Sequence, residues 1–172
     1  MPKQNFQNFG RFTFDMNLLW ERYPWLSIAF AEYGVKEIPG PADSKRILEY
    51  HAATNLKATD DAVPWCAAFA SWVLVKAGIA SPRTARARDF LKWSTPDVGD
   101  NFGCIVVLKR GKNPAQGHVG FLVHSLQNGP VWVLGGNQQD AVNIQKFPRN
   151  QVIGMRSVIH PRAHELDDDI PF

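Results

Sequence analysis

The run Pro64-Trp65-Cys66-Ala67-Ala68-Phe69-Ala70-Ser71-Trp72-Val73-Leu74-Val75-Lys76-Ala77-Gly78 constrains the fold of this chain more than any other stretch. Its alanines and leucine favour a helix, proline suits a first helical turn, and Gly78 supplies the stop. The run is apolar on nearly every side, so a helix made from it has no face to give to water and has to be central. Its surround must come from the rest of 172 residues, a length for one domain, and 45 % hydrophobic residues with 11 Phe, 6 Trp and 3 Tyr are enough for a core.

Shorter helices are expected before and after the central one. Trp25 to Tyr33 suits a helix stopped by Gly34, and Asp43 or Ser44 can cap a second that runs from Lys45 to about Ala53. Thr84 to Trp93 predicts a more basic helix with Arg86 and Arg88. From Cys104 onward the pattern changes to β-rich runs at 104–108, 119–123, 131–134, 142–145 and 152–159, separated by Gly, Asn or Pro. Helices followed by strands predict an α+β domain, with the buried helix packed on a mainly antiparallel sheet of about five strands. Residues 1–24, with Phe6, Phe9, Phe12 and Phe14 at a spacing that fits neither period, read as an irregular or partly extended N-terminal arm. The domain proper is 25–160, and 161–172 form an acidic C-terminal tail.

Charge separates body from tail. Nineteen Lys and Arg against 16 Asp and Glu give +3, yet Glu165, Asp167, Asp168 and Asp169 fall in the last nine residues, leaving residues 1–163 at +7. A basic body suits an anionic partner or polymer. Its basic residues are scattered, so nucleic acid is not the expected partner. Two cysteines exclude a disulfide-dense scaffold and a four-cysteine zinc site, and no close ligand pair has metal spacing, so neither a metal nor another cofactor is expected. There is no phosphate-binding glycine loop. No stretch reaches the apolar length of a membrane span, and Met1 to Leu19 lacks the apolar core of a signal peptide, so synthesis in the cytoplasm is expected.

Cys66 falls in the first turn of the central helix, where unpaired N–H groups and the helix dipole favour a thiolate. A buried cysteine is equally read as a small hydrophobe, which suits Cys104 at the opening of an apolar strand better. A nucleophile needs a base, and of five histidines the leading candidate is His118, in Gln116-Gly117-His118-Val119-Gly120-Phe121 at the start of a strand. His124 falls in the same strand, His51 on an expected helix, and His160 and His164 after the last strand. The group that orients the imidazole is sought in Gly135-Gly136-Asn137-Gln138, with Asn137 as first choice and Gln138 and Asp140 as runners-up; a turn selected for Gly and Asn explains the same residues.

Pro-Trp-Cys-Ala-Ala-Phe at 64–69, Gly-His-Val-Gly-Phe at 117–121 and Gly-Gly-Asn-Gln at 135–138, in that order, resemble the NlpC/P60 and CHAP group of papain-like cysteine hydrolases. The resemblance covers roughly residues 25–159. It implies a papain-like fold with Cys66 as nucleophile, His118 as base and Asn137 as orienting residue, cleaving amide bonds of peptidoglycan peptides through an acyl-enzyme. Trp65, Glu37, Arg86 and Gln138 are then candidates for the substrate cleft, and the Cys66 backbone N–H for the oxyanion hole. Cys104 stands where relatives often carry an acid. A phage lysis protein and an antibacterial effector both fit, and work on the wall would need release by lysis or a dedicated secretion route.

The last six residues, Asp167-Asp168-Asp169-Ile170-Pro171-Phe172, resemble the C-terminal tip of bacterial single-stranded DNA-binding proteins. This likeness implies docking on a genome-maintenance protein, with the Phe172 ring in an apolar pocket and the aspartates on its basic rim. The competing function is therefore an interaction protein that binds replication or repair proteins through this tail, its hydrolase fold acting on a non-wall substrate or only binding.

Overall fold

A computed structural model describes residues 5–97 and 99–160. The acidic tail, with Asp167, Asp168, Asp169, Ile170, Pro171 and Phe172, lies outside the described residues.

The described chain opens with a hairpin of β1 (Phe6–Phe9) and β2 (Phe12–Asp15), where the sequence suggests an irregular or partly extended arm. Asp15 accepts the backbone N–H of Asn17 at 3.0 Å and caps α1 (Met16–Arg22). α2 (Pro24–Ala31) follows, with proline in its first turn. The phenylalanines that fit no period are explained by tertiary packing: Phe9 and Phe14 set their rings 4.5 and 4.7 Å from that of Phe30 on α2, and Phe12 lies edge-on to Trp132.

α3 (Lys45–Ala52) buries Ile47, Tyr50 and His51. Ser44 stands at its cap position without a side-chain cap bond, and its backbone N–H donates at 2.7 Å to the buried carboxylate of Asp61. α4 (Cys66–Lys76) is the central helix, buried from Cys66 through Leu74 and packed on α2, α3 and the sheet, as its all-round apolar sequence requires. It starts two residues after Pro64, so Cys66 is its first helical residue.

The expected helix over 84–93 is instead a 3-10 segment, Ala87–Lys92. The Thr84 hydroxyl donates to Asp89 and accepts the backbone N–H of Arg86, which ties up the segment that would have formed the first helical turn.

The sheet consists of β3 (Ile105–Lys109), β4 (Gly117–Ser125), β5 (Val131–Gly135), β6 (Asn143–Phe147) and β7 (Val152–Arg156), all antiparallel, in the order β6-β5-β4-β3-β7. Alternation divides its side chains between two clusters. Ile105, Val107, Val119, Phe121 and Leu134 join the helices in the main core, whereas Val106, Leu108, Leu122, Val133 and Met155 form a second cluster. β4 lies in the middle and carries His118 at its start.

Candidate active site

Cys66 is held where the first turn of α4 meets β4. Its side chain is 5 % exposed, and its sulfur is within reach of the backbone N–H of Val119, the residue after His118. The helix start was expected to favour a thiolate, but burial outweighs it. Burial pushes the Cys66 thiol above its ordinary value, against the backbone N–H groups of Val119 and Ala67, the positive charge of Arg110 and its own N–H. In this state Cys66 is a neutral thiol.

His118 is buried at the start of β4, one residue before Val119, its ring 5.5 Å from that of Phe147. Its Nε2 lies 2.9 Å from the side-chain oxygen of Gln138. The Gln138 amide has its orientation fixed by three acceptors: its Nε2 donates to the Val133 carbonyl at 3.1 Å, the Asn143 carbonyl at 2.6 Å and the Asn143 side-chain oxygen at 3.0 Å. With both amide hydrogens committed there, Gln138 offers only its oxygen to the imidazole. His118 must therefore carry its proton on Nε2, which leaves Nδ1 with a free lone pair. Burial lowers the His118 pKa to about 4, opposed by the Gln138 bond and assisted by the charge of Arg110, so the ring is neutral at physiological pH.

The residue on the imidazole is thus Gln138 and not Asn137. Asn137 occupies a left-handed conformation at φ 55°, and this turn swings the next side chain, 2 % exposed, back under the sheet to His118. Asn143 closes the turn by donating to the Gln138 carbonyl at 2.6 Å. Sequence reading missed Asn143, whose only signal is an asparagine opening a strand. Asp140, the other runner-up, is exposed in the same turn.

Two glycines make room for this arrangement. A Cβ at Gly135 would stand 3.1 Å from the Gln138 oxygen and 3.3 Å from His118 Nε2. A Cβ at Gly136 would stand 2.4 Å from the Trp65 ring and 2.7 Å from the Phe69 Cβ, so only glycine lets the turn lie against the start of α4.

Trp65 was expected in the substrate cleft, but it has no exposed surface. Its ring packs beneath Gly136 and 5.8 Å from Tyr50, and its indole N–H donates to Glu37 at 2.7 Å. Glu37 is half-buried and reaches Cys66 only through Trp65. Arg86 is exposed and lines a different depression with Val63, Pro64 and Asp89. The cavity that holds His118, Asn137 and Gln138 has a volume of about 380 Å³. Cys66 does not line it, and no hydrogen bond joins Cys66 to His118 among the described residues.

One group of metal-type ligands is present among the described residues: carboxylate oxygens of Asp43, Asp60 and Asp61 lie within 4.8 Å of one another. Their hydrogen bonds are local. Asp61 accepts the N–H groups of Ile38 and Ser44, Asp43 that of Asp61, and Asp60 that of Ala62. This knot fixes the loop that leads into α4.

Residues 58–137 match the family model of the CHAP domain. The matched stretch contains Cys66, His118 and Asn137 and stops one residue before Gln138. It supports a CHAP-like hydrolase domain, a kind that is generally hydrolytic and commonly cysteine-based, and the five-stranded antiparallel sheet with its few helices is compatible with that fold. The match suggests amidase or peptidase activity on peptidoglycan. Among curated proteins, none matches the chain. No helix of the described residues is long and apolar enough to cross a membrane.

Proposed function

We propose that this chain is a cysteine peptidase or amidase that hydrolyses amide bonds in the peptides of bacterial peptidoglycan. The observation that carries the reading is the His118–Gln138 pair, which fixes a neutral imidazole with a bare Nδ1 on the strand whose next N–H touches the Cys66 sulfur.

Both groups favour their neutral forms, so the thiol is not ionised in advance. Substrate binding draws the Cys66 sulfur from the Val119 N–H to within reach of His118 Nδ1, since catalytic hydrogen bonds commonly tighten only in the complex. Nδ1 takes the thiol proton as the sulfur attacks the amide carbon, and the Cys66 backbone N–H stabilises the oxyanion. The imidazolium gives that proton to the departing amine, leaving a thioester. Water, deprotonated by the same nitrogen, then attacks the thioester, releases the carboxylic acid and restores the thiol. Gln138 keeps the ring in the useful tautomer through both half-reactions.

The decisive experiment compares the parent with Cys66→Ala on purified peptidoglycan and separates the soluble fragments by chromatography. Fragments released by the parent and absent with the variant are expected. The same fragments from both proteins would remove Cys66 from the nucleophile's role.

A further inference from the structure

The cavity beside His118 is lined by groups that the bond-breaking steps leave unused. Around the imidazole stand Gln139, Gln145, Gln151, Arg110 and Asp140. Amide side chains offer both donors and acceptors and so complement the N–H and C=O groups of a peptide. The guanidinium adds a different requirement, because its planar fork matches a carboxylate and nothing in the peptide main chain demands it.

The sheet fixes where Arg110 enters. Leu108 pairs with His118 and Lys109 with Gly117, so Arg110 leaves the end of β3 directly beside the start of β4. Its charge is felt by Cys66 and His118 alike, which puts the cation near both. Among the described residues the ion pairs join Arg46 to Glu32 and Glu49 and Arg149 to Asp100, so Arg110 has no carboxylate of its own there. Lys109 and Lys112 flank it on the same exposed hairpin. Asp140 carries the opposing charge into the lining and disfavours a second anionic group, so the cavity suits one carboxylate rather than a polyanion.

We propose that Arg110 is a specificity-determining residue that binds a free carboxylate of the peptide next to the amide to be cleaved, making anionic rather than amidated stem peptides the preferred substrates. The proposal rests on the hydrolase reading above and deepens it.

The test uses the full chain carrying Cys66→Ala, so that ligand stays intact, and measures Kd by calorimetry. The probes are stem peptides released from peptidoglycan and the same peptides converted to carboxamides with carbodiimide and ammonia. Tighter binding of the free-carboxylate form by about tenfold is expected, as for one charge-assisted contact at an exposed site. Adding Arg110→Gln should bring the two Kd values together, and Arg110→Lys should keep part of the difference. Equal affinity of the first protein for both peptides, or a preference that survives Arg110→Gln, overturns the assignment. Hydrolysis by the unmodified protein is measured separately: a carboxylate preference without cleavage would sink the hydrolase reading and leave the subsite standing.

Discussion

The side-chain oxygen of Gln138 and Nε2 of His118 are 2.9 Å apart, and the three carbonyl-type acceptors on the Gln138 nitrogen dictate which of them holds the proton. Replacing Gln138 with leucine frees the imidazole to choose its tautomer and to rotate. A loss of about 10²-fold or more in kcat is expected in a peptidoglycan-clearing assay, by analogy with the cost of a wrong tautomer elsewhere. Asn137→Ala, which removes no bond to the ring, should cost less than about threefold. A larger loss at Asn137 than at Gln138 would reverse the assignment.

Gln138→Glu tests the electrostatics of the same contact. A carboxylate facing His118 favours the imidazolium, so the His118 pKa should rise from about 4. The acid limb of the pH–rate profile should move upward with it, and ring proton shifts in NMR should report the same change. An unmoved titration would mean that residue 138 does not face the ring in solution.

Acid stability follows from the same burial. His118 has a folded pKa of about 4 against an ordinary 6.5, so the unfolded chain takes up a proton first as pH falls. The stability associated with a neutral His118 is complete above about pH 6.5, declines as pH falls, and is lost by about pH 4, for a total of about 3 kcal/mol. Burial shifts His51 in the same direction. Urea unfolding at stepped pH should show this slope, and His118→Gln should flatten it; an unchanged slope would assign it to other groups.

Thiol chemistry gives a separate check. Burial raises both Cys66 and Cys104, and both are nearly enclosed. Iodoacetamide at pH 7 should therefore modify the folded protein far more slowly than a free thiol, with the rate at Cys66 still climbing above pH 9. Fast alkylation at neutral pH, with a plateau, would indicate a preformed thiolate.

Gly136→Ala puts a methyl group into the Trp65 ring and should destabilise the fold by about 1–3 kcal/mol. Trimming the ring in a Trp65→Leu background should relieve part of that cost, and the cycle of single and double variants measured by urea unfolding would show the coupling. Strict additivity would mean the two residues do not meet.

Periodicity carried much of the architecture. The apolar run made α4 central, and the period change after Cys104 located all five strands of the sheet, because both signals depend only on neighbouring residues. The hairpin of residues 6–15 was obscured because Phe9 and Phe14 answer to Phe30 rather than to their own strand period. At the site, residue types identified Cys66 and His118 as a pair to consider. They did not separate Asn137 from Gln138, since that choice depends on a left-handed turn and on Asn143 across it. The burial of Trp65 was not legible for a related reason, since it depends on Glu37 and Gly136, which meet the ring only in the folded chain.

The adjacency of β4 and β5 bears on the order of assembly. His118 opens β4 and Gln138 lies 20 residues on, in the turn between β5 and β6, so their contact forms once these neighbouring strands have paired and the turn has closed on Asn143. Cys66 arrives only when a helix from the other half of the chain docks, after a longer loop has been closed. During refolding, then, the thiol should remain open to a pulse of alkylating reagent after the histidine has reached its native environment. Sequestration of sulfur would be the last step of maturation, and a chain caught before it would hold a finished base with no nucleophile to serve.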